Sequence, residues 1–159
     1  VRPALIFSGA GARRDLASIL CLFLHISRKE IEMGTRIVTT KSAPAPVGPY
    51  SQAVESGGFL FCSGQIPIDP ASNETRLGSA SEQADLVLKN VAAVLEAAGL
   101  SFQNVVKTTI FLTDMADFAA VNEVYATRFK SSPPARSTIA VAALPKGARV
   151  EIEVIAARA

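Results

Sequence analysis

One helix with both ends marked constrains the fold most. Ser79-x-x-Glu82 is a capping box, in which a hydroxyl and a carboxylate each satisfy an orphan backbone N–H. Gly99 stands where a left-handed C-terminal cap is wanted. Between them Ala84, Val87, Leu88, Val91, Val94, Leu95 and Ala98 follow the i, i+3, i+4, i+7 pattern and form one apolar stripe. Burying a single stripe implies packing on a sheet, and the segments around the helix supply one.

Thr35–Thr40 is short and β-branched, a first strand. Ala43–Pro49, rich in proline, follows as an extended loop. Gln52–Glu55 and Phe59–Ser63 flank Ser56-Gly57-Gly58 as a hairpin, and Gly64–Pro70 leaves the strand as an irregular loop. Val105–Leu112 is a strand, and Thr113-Asp114 caps a second helix running to about Phe129 with Phe118, Val121, Val124 and Tyr125 on its apolar face. Arg136–Ala142 and Arg149–Ala157 complete the order β-β-β-α-β-α-β-β, an α+β domain with both helices on one sheet face. In the last strand Val150, Ile152, Val154 and Ala156 point one way, while Glu151, Glu153, Ile155 and Ala157 point the other. That second face is neither solvent-like nor core-like, which implies burial between subunits of an oligomer.

The 159 residues suffice for one globular domain, and the charge is unevenly placed. Residues 1–32 hold five Lys+Arg and three Asp+Glu, whereas residues 33–159 hold eleven of each. The neutral domain shows no Lys/Arg cluster, so nucleic-acid binding is not expected. The two cysteines match neither a disulfide framework nor a zinc spacing, which points to a reducing, cytoplasmic compartment. Residues 1–32 read as a leader or extension outside the fold, and 33–159 as the domain. Arg13-Arg14 precede an apolar run, Leu16–Ile26, too short to span a bilayer, so no membrane association is expected. Three readings of the leader stay open: upstream sequence before a natural start at Met33-Gly34, a mitochondrial presequence, or a secretory signal.

The domain contains no histidine, since the one in the chain is His25. Ser-His-Asp, Cys-His and histidine-ribonuclease chemistries are therefore excluded from it, and no metal or cofactor site is expected. No GxxxxGK[ST] or GxGxxG occurs. Arg136, directly after Pro133-Pro134-Ala135, is a candidate two-point binder of a carboxylate, or a surface arginine. Glu151, inside an apolar strand, is a candidate proton-transfer group, or an ion-paired glutamate. Tyr50 closes the Gly48-Pro49 turn as a site phenol or a core ring with a wet hydroxyl. Ser63-Gly64 is a close backbone approach to a ligand or a plain turn, and Cys62 is a small core residue.

Gly48-Pro-Tyr-Ser-Gln-Ala53, Ser63-Gly-Gln-Ile-Pro-Ile-Asp-Pro70, Asn104-Val-Val-Lys-Thr-Thr109, Asp117-Phe118 with Val121-Asn122, Pro134-Ala-Arg-Ser137 and Glu151-Ile-Glu153 occur in order. Together they strongly resemble the RidA/YjgF family of reactive-intermediate deaminases, from about Thr35 to Ala159. The resemblance implies a chorismate-mutase-like fold, a homotrimer with sites between subunits, and hydrolysis of 2-imino acids, the enamine/imine products of pyridoxal-phosphate dehydratases, to 2-keto acids and ammonia. That is the activity of a 2-iminobutanoate/2-iminopropanoate deaminase. It implies that Arg136 binds the carboxylate, Glu151 positions water, and Tyr50, Ser63, Gly64 and Asn122 are pocket positions. Thr138 stands where many members carry cysteine and keeps the backbone N–H without the thiol. The alternative attached to the family is a stress role: RNA cleavage with translation inhibition, or holdase activity.

Overall fold

The computed structural model describes residues 34–158. The leader readings concern residues 1–32 and lie outside the described residues. Six strands form one mixed sheet: β1 (Arg36–Val38), β2 (Ala53–Ser56), β3 (Phe59–Gln65), β4 (Val105–Leu112), β5 (Ala135–Ala140) and β6 (Val150–Ala157). The order across the sheet is β1-β2-β3-β6-β4-β5. All neighbours are antiparallel except β4 and β5, which run parallel. A parallel pair needs a crossover, and helix α2 (Phe118–Ala126) provides it. Helix α1 (Ala80–Ala97) lies on β3 and β6 and packs against α2.

Local chemistry sets the ends of α1. The Ser79 hydroxyl accepts from the Glu82 N–H while the Glu82 carboxylate accepts from the Ser79 N–H, the full capping box. At the other end Gly99 takes φ +72°, and the N–H groups of Gly99 and Leu100 donate to the carbonyls of Glu96 and Leu95 at 2.9 Å each. These are the two bonds of a Schellman cap. The stripe then does what its spacing requires: Ala84, Val87, Leu88, Val91, Val94 and Leu95 are all buried. Against them stand Val150, Ile152, Val154 and Ala156 of β6, with Leu60, Ile110 and Leu112 from the neighbouring strands.

Strand ends shift by a residue or two from the sequence reading, and three larger differences bear on the site. Asp114 caps a single 3-10 turn, Met115–Asp117, by accepting from the Ala116 N–H at 2.8 Å, so α2 begins only at Phe118. It stops at Ala126, where the Thr127 hydroxyl turns back onto the Val124 carbonyl at 2.7 Å. Strand β3 continues past Ser63 to Gln65 through an irregularity between Cys62 and Gln65, so Gly64 sits within the strand and not in the loop after it.

Three buried amides fix the loops around this frame. Gln52 accepts from the Thr40 N–H at 2.7 Å and donates to the Pro44 carbonyl at 2.8 Å, tying down the proline-rich loop. Asn90 of α1 donates to the Ile68 carbonyl at 2.8 Å. Gln83 donates to the Gly78 carbonyl at 3.0 Å and accepts from the Arg149 N–H at 2.8 Å, joining the start of α1 to the approach of β6. Each amide satisfies backbone groups that would otherwise be costly to bury.

Candidate active site

The candidate residues fall into two groups on opposite faces of the sheet. In the β4–β5 register Arg136 lies beside Thr108, which is fully buried and meets Tyr125 of α2. Arg136 therefore projects on the helix-bearing face. In the β4–β6 register Glu151 lies beside Phe111, one residue out of phase with the buried Ile110–Ile152 pair. Glu151 therefore projects on the open face. A sheet of this thickness separates the two groups within one chain.

The first group is built on the β5 edge and on α2. The Arg136 Nη1 donates to Asn122 Oδ1 at 2.8 Å. The guanidinium lies over two rings, with its Cζ 4.9 Å from the Tyr125 centroid and 5.7 Å from that of Phe118. Thr138, two residues along the same strand, has an enclosed hydroxyl with no hydrogen-bond partner among the described residues. The group offers an oriented cation, exposed enough to receive a carboxylate.

The second group surrounds the Glu151 carboxylate. A Cβ placed on Gly64 would overlap Glu151 Oε1 and come within 2.8 Å of its Cδ, so glycine is what makes room for the carboxylate. Partial burial, with the Glu153 carboxylate as a second cause, holds the Glu151 pKa above the usual glutamate range. Ser63, just before Gly64, is held by its hydroxyl donating to the Ser51 carbonyl at 2.7 Å. Gly64 also lines a small hollow together with Pro44, Val47, Tyr50, Gln52 and Ile66. Tyr50 is 48% exposed, so it is not a core ring. Its hydroxyl accepts from the Val47 N–H at 3.4 Å.

Other sequence candidates resolve simply. Cys62 is a buried core residue whose thiol pKa is pushed up to about 12 by burial, which leaves no reactive thiolate. Among the described residues no group of three or more His, Cys, Asp or Glu is placed to hold a metal ion, and no helix is long and apolar enough to cross a membrane. Sequence reasoning missed Gln52, which shapes the hollow, and Tyr125 as the floor beneath Arg136. A polar residue heading an apolar strand was the available signal for Gln52. Tyr125 gave none beyond its place on an apolar face.

An α+β domain with an oriented guanidinium on one sheet face and a half-buried carboxylate of raised pKa on the other is the class these features define. The family model described as Endoribonuclease L-PSP matches residues 40–158. The protein named 2-iminobutanoate/2-iminopropanoate deaminase from Mus musculus is 51% identical over 121 residues, 76% of this chain and 90% of the relative. A RutC family protein from Pyrococcus horikoshii is 52% identical over 120 residues, 76% of this chain and 95% of the relative. The crystal structure of E. coli TdcF with bound serine superposes with a TM-score of 0.75 at 45% identity, covering 78% of this chain and 99% of that one. The chain belongs to this family, the RidA/YjgF family.

Proposed function

We propose that the chain is a hydrolytic deaminase converting small 2-imino acids to 2-keto acids and ammonia. It would work as a homotrimer of chorismate-mutase-like topology, with each site assembled from two subunits. The observation that carries this is the pair of half-sites on opposite faces. An anchored guanidinium and a carboxylate of raised pKa are both prepared, and only a second copy of the chain can bring them to one substrate. The edge position of β5 and the mixed open face support such an assembly. Mammalian relatives named as deaminases, about half identical across the domain, support the reaction class.

The chemistry needs no metal or cofactor because a protonated imine is already electrophilic. Arg136 holds the substrate carboxylate as a two-point fork. Glu151 accepts a proton from water as the water oxygen bonds to C2, giving a carbinolamine. Glu151 then passes that proton to nitrogen. The C–N bond breaks as Glu151 takes up the hydroxyl proton and yields it to the departing ammonia, so protonated imine and water leave as keto acid and ammonium with Glu151 ionised again. Tyr50, Ser63 and Gly64 line the approach to Glu151, and Thr138 the approach to Arg136. Acid–base help of this kind contributes on the order of 10²–10⁴-fold, enough for a reaction that also runs in water. The test generates imine with an amino-acid oxidase and follows its accelerated decay, with RNA incubated separately in EDTA. Arg136→Ala should lower catalytic efficiency about ten- to more than a hundredfold, with little recovery in Arg136→Lys. Near-wild-type decay with Arg136→Ala, or RNA cleavage without imine hydrolysis, would reject the reading.

A further inference from the structure

Arg136 sits on an exposed edge strand, yet its guanidinium is not left to wander. One face of α2 holds it: Phe118, Asn122 and Tyr125 stand at i, i+4 and i+7 and all three meet it, at 5.7, 2.8 and 4.9 Å. Tyr125 differs from the other two because it is itself fixed. Its side chain is buried, its ring packs on Phe129 with centroids 4.5 Å apart, and its hydroxyl lies 2.9 Å from the Thr108 Oγ1. Thr108 is fully buried and is also the ladder neighbour of Arg136 in the β4–β5 register. The contacts therefore close a loop. The backbone beside Arg136 positions Thr108, Thr108 pins the Tyr125 hydroxyl, and the Tyr125 ring returns beneath the guanidinium. A buried hydroxyl without its partner is costly, so the ring keeps its place whether or not anything is bound.

We propose that Tyr125, pinned by Thr108, is the positioning residue for the carboxylate-binding arginine. Its ring fixes the guanidinium plane from below, Phe118 supports it, and Asn122 occupies one Nη1 hydrogen. The Nε–Nη2 edge is thereby presented to a substrate carboxylate before the substrate arrives. This rests on the reading of Arg136 as the carboxylate anchor. Preorganisation of a group that binds ground state and transition state alike acts on affinity and not on the chemical step. Tyr125 therefore controls KM and the affinity for keto acid together, and leaves kcat nearly alone.

The test measures equilibrium binding of 2-ketobutyrate, a stable keto acid, beside imine-hydrolysis kinetics, melting temperature and mass of the full chain. Tyr125→Leu is expected to raise both Kd and KM about tenfold, with kcat within about threefold of wild type. Tyr125→Phe keeps the ring face and the packing, and should recover most of that loss. Phe118→Leu, at a partly exposed ring, should raise Kd about two- to threefold, and decides the matter if Tyr125→Leu does not fold. An unchanged Kd in folded Tyr125→Leu overturns the proposal, as does a Tyr125→Phe variant as impaired as the leucine one. With Tyr125→Leu unfolded, an unchanged Kd in Phe118→Leu overturns it equally. Failure of the deaminase reading looks different: wild type would bind keto acid through Arg136 without accelerating imine decay, and the Kd series would still decide the role of Tyr125. A Kd insensitive to Arg136→Ala removes the anchor and the proposal with it.

Discussion

The close approach of Gly64 to Glu151 makes two residues act as one feature. Any side chain at position 64 must displace the carboxylate, and the carboxylate can yield because it is the far end of a flexible side chain. Gly64→Ala is thus expected to fold with nearly wild-type stability while losing about a hundredfold in turnover, the scale on which a misplaced catalytic group costs activity. A melting temperature lowered in step with activity would mean that the backbone had moved instead. Charge at the same place predicts a pH effect. Burial first, and Glu153 second, raise the Glu151 pKa, so the basic form that takes a proton from water appears only at higher pH than for an ordinary glutamate. Activity should rise with pH through that raised pKa. Glu153→Gln removes the like charge, lowers the Glu151 pKa, and should move the rising limb toward acid. Carbon-13 titration of the Glu151 carboxyl checks the sign directly, and an unmoved midpoint would leave burial as the whole cause. At this scale the sequence made Arg136 and Glu151 visible as residue types in suggestive places. It could not show that Gly64 yields space to Glu151, because that contact joins positions far apart in the chain.

Among the elements, α1 was legible to within a residue at both ends because its caps are local: Ser79, Glu82 and Gly99 each act on backbone groups within a turn. Helix α2 was legible in kind but not in extent. Thr113-Asp114 carries a capping signal, and Asp114 spends it on a 3-10 turn, while Asp117 at the α-helical start makes no side-chain cap bond. The place of β6 between β3 and β4 was not legible at all, since strand pairing is a non-local choice with no signature in either strand. The caps still carry a stability prediction. Ser79→Ala removes the hydroxyl of the capping box and should destabilise the fold by about 1 kcal/mol. Gly99→Ala forces a Cβ into the left-handed region and should cost a similar amount, about 1–2 kcal/mol. Both are read from denaturant unfolding at one fixed protein concentration, because assembly couples to stability. A Ser79→Ala midpoint equal to wild type would show that tertiary packing alone holds the first turn.

For the whole molecule, the proposed mechanism sets a requirement that no single chain can meet, because Arg136 and Glu151 project from opposite faces of the sheet. Phe59 and Phe61 leave the open face exposed and apolar, Ile155 is half-covered there, and Lys107 donates to the Ser137 hydroxyl at 2.7 Å on the same side. The proposed shared site requires a neighbour on that face to bring its own β5 edge, with Arg136, to Glu151. Native mass spectrometry should therefore report three chains, with a monomer counting against any shared site. A sharper test uses two variants that are each strongly impaired, assayed at substrate concentrations well below the wild-type KM. Arg136→Ala chains lack the anchor and Glu151→Gln chains lack the base, so neither homotrimer can complete a site. If every site takes its arginine from one subunit and its glutamate from the next, random mixing after subunit exchange leaves about one quarter of sites with both native groups. Mixed samples should then recover roughly that fraction of wild-type imine hydrolysis, well above the residual rate of either variant alone. Were both groups drawn from the same chain, no mixture could restore a complete site, and activity would stay at the residual rate at every ratio.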